Sequence, residues 1–358
     1  MKRWLIVLAG LITIIVMVAG CAGAPEAVIT PEEFYRGKII TIVVPFAPGG
    51  GFDTDARVIA PYLAKQLGAK MAVVDNETGG AGWGGINFLF ASAPKDGLTI
   101  GCIPGDRICL NEIFELGQPV AFKSVKEFSV IAMLYPDSAS ITCVTPGSRF
   151  NTLKDLVGAE SLKCPESSPF ASNTLSWAPL ASCFGIKNLK IICGYAGTAD
   201  RQTACFRGEV DIISVAASAP GMLQSGMLKP IGFNDTNPTR SRECFPEYAY
   251  LPSFSEVALP GTIWEKEFAE HVGDTLRTVA APPAIPQDRL DFLVESMRTI
   301  CQDPAFIKEC EKRMVDIAPT DPRTIFGKDV AAFFGSFLDM PRSQRMEIKD
   351  RWDALFVY

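Results

Sequence analysis

Four short segments of this chain have the composition of loops that hold an anion with main chain rather than side chain. They are Pro48-Gly49-Gly50-Gly51 with Asp53, the glycine-rich run Gly79 to Gly85 with Trp83 inside it, the serine-rich stretch Glu166 to Thr174, and Gly194-Tyr195-Ala196-Gly197-Thr198. Each follows an apolar run and leads into helical periodicity. A helix start there offers N–H groups without intrahelical partners and about half a positive charge, which suits a carboxylate without any basic side chain. Glycine lets the ligand reach the backbone. Four such loops facing one cleft suit an organic anion with a carboxylate at each end.

The same residues have structural alternatives. Asp53 suits a helix N-cap, as do Ser172, Asn173 and Thr174. Tyr195 suits packing as well as contact, and Gly79 to Gly85 suits a plain turn. Gly80 to Gly85 also satisfies G-x-G-x-x-G, but Asp75 to Gly79 separate it from the preceding strand, whereas a dinucleotide loop puts its first glycine at the strand end. No G-x-S-x-G elbow is present, and the sole histidine, His271, sits beside Glu270 in a charged stretch and reads as a surface residue. Nothing points to a nucleophile with a positioned base, so an enzyme is not expected.

The elements that must position these loops alternate. Ile39 to Pro45 reads as a buried parallel strand, followed by a helix from Asp53 or Thr54 to Leu67. Met71 to Val74 is the next strand, Ile86 to Ser92 a helix, and Leu98 to Ile103 a strand; this is the pattern of an open α/β sheet. Phe128 to Val144 should carry the chain into a second lobe. That lobe holds a short helix at Leu153 to Leu156, strands at Leu162 to Cys164, Leu189 to Cys193 and Val210 to Val215, and helices at Asn173 to Phe184 and Ala199 to Arg207. A polar surface stretch, Asn234 to Pro260, leads to a strand at Leu276 to Ala280 that should return to the first lobe. Outer helices are expected at Gln287 to Ile300, Pro304 to Met314 and Thr324 to Met340. The expected division is 38–140 with 276–358 in lobe one and 141–275 in lobe two.

With 358 residues, 48% of them hydrophobic, the chain can bury two domain cores. Its net charge of −6 and the lack of a basic run argue against nucleic acid. Lys2 and Arg3, an uncharged apolar run from Trp4 to Gly20, and Val18-Ala19-Gly20-Cys21 read as a lipoprotein signal over 1–20, with Cys21 the acylated residue and 21–37 a tether. Buried acyl chains at about 0.8 kcal/mol per CH₂ would hold the protein on a bilayer, facing outward. The alternative is an uncleaved span from Trp4 to Ala24. The remaining cysteines, Cys102, Cys109, Cys143, Cys164, Cys183, Cys193, Cys205, Cys244, Cys301 and Cys310, suggest disulfides in an exported chain, with Cys102–Cys109 and Cys301–Cys310 as local candidates; buried free thiols are the alternative. With no C-x-x-C and no histidine-paired cysteine, neither metal nor cofactor is expected.

From Lys38 to Phe334 the chain resembles the receptors of tripartite tricarboxylate transporters, the Bug family of type II periplasmic binding proteins. The resemblance rests on Ile42-Val43-Val44-Pro45-Phe46-Ala47-Pro48-Gly49-Gly50 with Asp53 and Arg57, on Asp75-Asn76 with Gly79 to Gly85, on Pro94-Lys95-Asp96-Gly97-Leu98, and less specifically on Tyr195, Gly197, Gly208 and Val210-Asp211. It implies two Rossmann-like lobes with a central cleft and hinge, and a small organic carboxylate captured between them for a membrane transporter. By position it places Phe46, Gly49, Gly50, Asp53, Gly80, Ala81, Gly82 and Trp83 at the ligand in lobe one, and Ser168, Ser172, Asn173, Tyr195, Gly197 and Thr198 in lobe two. Glu77, Trp83, Ala196 and Val215 depart from the family's usual arginine, asparagine, lysine and aspartate, so the ligand is expected to differ from the family's commonest one, with Trp83 and Phe46 suiting an apolar part. A surface regulatory or sensory lipoprotein without transport is the second reading.

Overall fold

The computed structural model describes residues 29–355, apart from 119, 136–139, 167–173, 196–197, 217–220, 237, 314 and 316. The signal segment and Cys21 lie outside the described residues. The strands are β1 (Ile39–Val44), β2 (Met71–Asn76), β3 (Thr99–Ile103), β4 (Ser129–Leu134), β5 (Ser140–Val144), β6 (Leu162–Pro165), β7 (Leu189–Ile192), β8 (Ile213–Ala216), β9 (Lys229–Phe233), β10 (Arg277–Ala281) and β11 (Ile325–Phe326).

β1 lies between β2 and β3 and is parallel to both. β10 enters antiparallel between β3 and β4, and β11 adds an antiparallel edge on β4, giving the six-stranded order β11-β4-β10-β3-β1-β2. Both faces of this sheet are covered, which is why β1, β3 and β4 read as almost continuous apolar runs. Ile40, Ile42 and Val44 pack into one layer with Val58, Ile59 and Leu63 of the helix Gly51–Leu67 and with Leu293 and Met297 of the helix Gln287–Gln302. Val43 and Ile103 face the other layer, built from Trp83, Ile86, Ile108, Ile113, Val272 and Trp352. The alternation is the two-residue period of the pleat.

The strands from β5 to β9 form two smaller sheets. β5 pairs antiparallel with β8 and β9, and β6 pairs parallel with β7. Lys163 links them: its carbonyl accepts the Asp211 amide at 2.9 Å, and its own amide donates to the Asp211 carboxylate at 2.8 Å. That tie takes Asp211 out of the ladder. The strand expected from Val210 therefore begins only at Ile213.

Several expectations change. The first helix starts at Gly51 rather than at Asp53 or Thr54, with Gly50 as its N-cap residue. The second starts at Trp83 and widens into a π-turn over Phe88–Ser92. A helix at Gly105–Ile113 was not expected, nor was the terminal helix Arg342–Leu355, and the expected helix from Thr324 is instead β11 followed by Lys328–Ser336. The surface stretch after Asn234 holds the helix Pro238–Cys244 and buries Phe254 completely. His271 is exposed, as expected, and lies against the Phe333 ring at 5.4 Å.

Among the described cysteines, which do not include the Cys244 side chain, the disulfide expectation is corrected. Cys102, Cys109, Cys143, Cys164, Cys183, Cys193, Cys205, Cys301 and Cys310 are free thiols. Cys102 and Cys109 belong to opposite layers of the six-stranded sheet, which keeps them apart. Cys301 and Cys310 share one layer, where burial pushes each thiol up to about 12. Among the described residues no helix is long and apolar enough to cross a membrane, and no cluster of metal-ligating side chains occurs.

Candidate functional site

The carboxyl ends of β1, β2 and β3 lie side by side because the three strands are parallel and adjacent. After β1 the chain passes Pro45 and Phe46 and turns through Ala47 to Gly50 into the helix Gly51–Leu67. The carboxylate of Asp53, in the first turn, reaches back and organises this turn. Its Oδ2 accepts the Gly49 amide at 2.8 Å and Arg57 Nε at 2.9 Å, while Oδ1 accepts Asn76 Nδ2 at 3.1 Å and pairs with an Arg57 Nη2 at 2.8 Å. Asn76 Nδ2 also donates to the Phe46 carbonyl at 2.9 Å, tying the end of β2 to the end of β1. Burial opposes ionisation of Asp53, but hydrogen bonds from Arg57, the Gly49 amide and Asn76 outweigh it and hold the carboxyl below its ordinary range.

This network assigns Asp53 a different duty from ligand contact. It is 3% exposed and its acceptors are spent inside the loop. The Gly49 amide is likewise taken. What the loop still presents are the first N–H groups of a seventeen-residue helix, which have no acceptor within the helix.

The second loop is held by main chain alone. The Gly79 carbonyl accepts the amides of Gly82 at 2.9 Å and Gly84 at 3.1 Å, closing a tight turn over Gly80 and Ala81. Gly82 has φ +99°, and a Cβ there would stand 2.9 Å from the Phe46 ring. Gly85 is packed harder: a Cβ would meet the Glu77 carbonyl oxygen at 2.5 Å and Pro45 Cα at 2.8 Å. Trp83 is 9% exposed and packs in the core layer with Ile86 and Leu89. It supports the loop from beneath rather than offering a broad aromatic face.

Sequence reasoning missed a third loop of the same kind. β3 runs through Pro104-Gly105-Asp106-Arg107 into the helix Gly105–Ile113. The missed signal was Pro-Gly-Asp directly after an apolar strand, followed by apolar residues at helical spacing. Gly105 allows the helix to sit close to β10, since a Cβ would run into the Thr278 hydroxyl of that strand and lie 2.5 Å from the Thr275 carbonyl oxygen just before it. Arg107, only 6% exposed, lies with its guanidinium carbon 5.2 Å from the Phe46 ring centroid and its Nη1 3.6 Å from where a Gly82 Cβ would be. Phe46 in turn packs on Phe52 at 4.8 Å, and Phe52 carries the guanidinium of Arg277 at 3.9 Å. Arg277 Nε donates to the buried Asp55 carboxylate at 2.5 Å.

On the other side, Glu166 closes β6 and is fully buried. Its Oε1 accepts Trp177 Nε1 at 2.8 Å, and its Oε2 stands 3.5 Å from Arg201 Nη1. Desolvation lowers the pKa of Arg107, opposed by the negative field of Asp106 and then of Glu166. Tyr195 packs against the β5–β8–β9 core and its hydroxyl donates to Glu209 at 3.3 Å. Ser168, Ser172, Asn173 and Gly197 lie outside the described residues; Thr198 begins the helix Thr198–Phe206.

No family model matches the chain. Two curated proteins do. A UPF0065 protein from the tcbD–tcbE intergenic region of a Pseudomonas species is 30% identical over 238 residues, which cover 64% of this chain and 66% of that protein. Protein BugT of Bordetella pertussis is 27% identical over 269 residues, covering 71% of this chain and 79% of BugT. The chain is thus similar in sequence to a protein of the Bug family. It spans about two thirds of the length of the first of these relatives. The Bug fold is also found by shape: the periplasmic binding protein BugD superposes with a TM-score of 0.65 at 20% identity, covering 90% of this chain and 100% of BugD. Two proteins of Rhodopseudomonas palustris superpose similarly. One is described with adipate (TM-score 0.65, 18% identity, 89% of this chain and 99% of that one), and the other is MatC with bound malate (0.64, 18%, 87% and 98%). The type II binding-protein fold, with two α/β lobes about a cleft, is therefore the fold of this chain.

Proposed function

We propose that this protein is an extracytoplasmic receptor that captures a small organic carboxylate between its lobes and delivers it to a membrane transporter of the tripartite tricarboxylate type. The observation that carries the reading is the convergence of two pinned glycine loops, each opening onto a helix start, at adjacent carboxyl ends of parallel strands in a chain similar to a Bug-family protein. Oriented amides at such a point suit a carboxylate without the desolvation cost of burying a second full charge. The adipate of one fold neighbour and the bound malate of the other support the ligand class.

Within this reading, Phe46, Gly50, Gly80, Ala81 and Gly82 line the lobe-one side, with Gly49, Asp53 and Trp83 holding it in shape. Ser168, Ser172, Asn173, Gly197 and Thr198 complete the contacts from lobe two, and Tyr195 braces that side. Lobe one extends over 38–140 and 276–358, lobe two over 141–275. The ligand docks on lobe one, and closure follows because only the closed form adds the lobe-two contacts. Cys21 carries the lipid that keeps the receptor at the bilayer; a Cys21→Ser chain should appear in the soluble fraction, and continued membrane retention would count against acylation.

Titration calorimetry with malate, adipate and related di- and tricarboxylates, paired with small-angle scattering, tests the receptor reading. At least one ligand should bind and reduce the radius of gyration. A panel in which nothing binds overturns it.

A further inference from the structure

We propose that Arg107 is the specificity-determining side chain of the cleft, a fixed guanidinium that binds one carboxylate of the ligand directly and so selects an anionic group over a neutral isostere. The inference rests on the receptor reading and deepens it.

The placement is the argument. Arg107 sits in the first turn of the helix that follows β3, and its guanidinium is bracketed by both glycine loops, over the Phe46 ring of one and against the Gly82 main chain of the other. It is the basic side chain that these two loops share. Its position is over-determined. Phe46 is backed by Phe52, Phe52 by the Arg277 guanidinium, and Arg277 by the buried Asp55. A guanidinium carries five N–H donors in one plane, so an arginine beside both loops can meet a planar carboxylate with two parallel hydrogen bonds while keeping other contacts. Stacking also replaces part of the hydration that burial removes.

The surrounding charges sharpen the point. Asp106 on the same helix and Glu166 from the opposite lobe both act on Arg107. Glu166 is itself engaged by Trp177 and Arg201. The cluster of Asp106, Arg107, Glu166 and Arg201 thus carries balanced formal charge, and it spans the gap between the lobes. A ligand carboxylate arriving beside Arg107 adds the negative charge that the neighbouring helix-start amides are oriented to accept. A neutral amide of the same shape adds no charge, and its N–H group faces the Arg107 guanidinium and the helix-start amides as one more donor.

The wild-type protein and the Arg107→Met and Arg107→Lys variants should be titrated with a dicarboxylate that the wild type binds and with its two monoamides. The Lys65→Ala variant, on the exposed outer face, serves as control. Loss of a charged hydrogen-bond partner predicts that Arg107→Met binds the diacid about 10- to 100-fold more weakly, while its affinity for one monoamide changes little, so that the preference for acid over amide collapses. Arg107→Lys should keep part of that preference. Equal weakening of diacid and monoamides, or an unchanged preference, overturns the assignment and leaves Arg107 a packing residue. Should Arg107→Met fail to fold, the lysine variant and the wild-type acid-to-amide ratio decide the matter, since a wild type indifferent to amidation at either end has no such anchor. A wild type that binds no carboxylate at all overturns the receptor reading itself, and the assignment with it.

Discussion

The two glycine loops at the ends of β1 and β2 do similar work by opposite means. The first, around Gly49 and Gly50, is held by a side chain: Asp53 collects the Gly49 amide, Arg57 and Asn76. Its glycines have room, with nothing within 4 Å of a Cβ at Gly49 and only the Ala47 carbonyl oxygen, at 3.5 Å, near one at Gly50. The second is held by main-chain hydrogen bonds to one carbonyl, and two of its glycines are packed tightly, Gly82 against Phe46 and Gly85 against Pro45 and Glu77. One loop is thus vulnerable to losing a functional group. The other is vulnerable to gaining a methyl.

The sharpest break in that comparison is Gly85→Ala. The obstructing atoms are backbone, so relief requires the helix at Trp83–Asn87 to move off β1, and a loss of about 3 kcal/mol in urea unfolding is expected. A loss below about 1 kcal/mol would show that this loop yields, and would remove the contrast.

Next in size is Asp53→Asn, expected to cost about 2 kcal/mol, because a nearly buried acceptor of several donors loses its charge while Arg57, half exposed, regains water. The pH dependence gives the sign. Because the folded-state pKa of Asp53 is depressed, its contribution is present above the unfolded value of about 4 and disappears as pH falls through the lower folded value. The wild type should therefore lose stability on acidification across this window more steeply than the variant, and parallel melting curves would refute the network's role.

The smallest effects belong to the roomy glycines. Gly49→Ala should cost about 1 kcal/mol, because φ is +83° there and the space is open. Gly50→Ala, at φ −80°, should stay within about 0.5 kcal/mol, since the weaker N-cap and the reduced freedom of the unfolded chain offset each other. A reversed order would mean that space, not backbone conformation, limits the first loop.

Much of the fold was legible. Val- and Ile-rich β1, the helix ending at Leu67, and the return strand near Arg277 follow from hydrophobic period and turn residues, which act locally. The helix at Gly105–Ile113 was legible but faint, because its start is a single Pro-Gly pair rather than a glycine run and it spans only nine residues. Two-residue β11 had no local signal; β4 recruits it. Trp83 reads as an aromatic contact in a glycine loop, yet it is core, because the helix starts three residues before its expected beginning and rotates the ring inward.

By itself, then, the chain's order of residues determined the α/β alternation, the positions of the glycine loops and the family motif that contains them, since each depends on neighbours a few residues apart. Only the tertiary structure decided that the Asp53 carboxylate is spent inside its loop, that Trp83 is buried, and that Arg107 stands between both loops. Those assignments depend on which surfaces meet when β1, β2 and β3 align and the second half packs across them. Contacts between residues far apart in the chain leave no period in it.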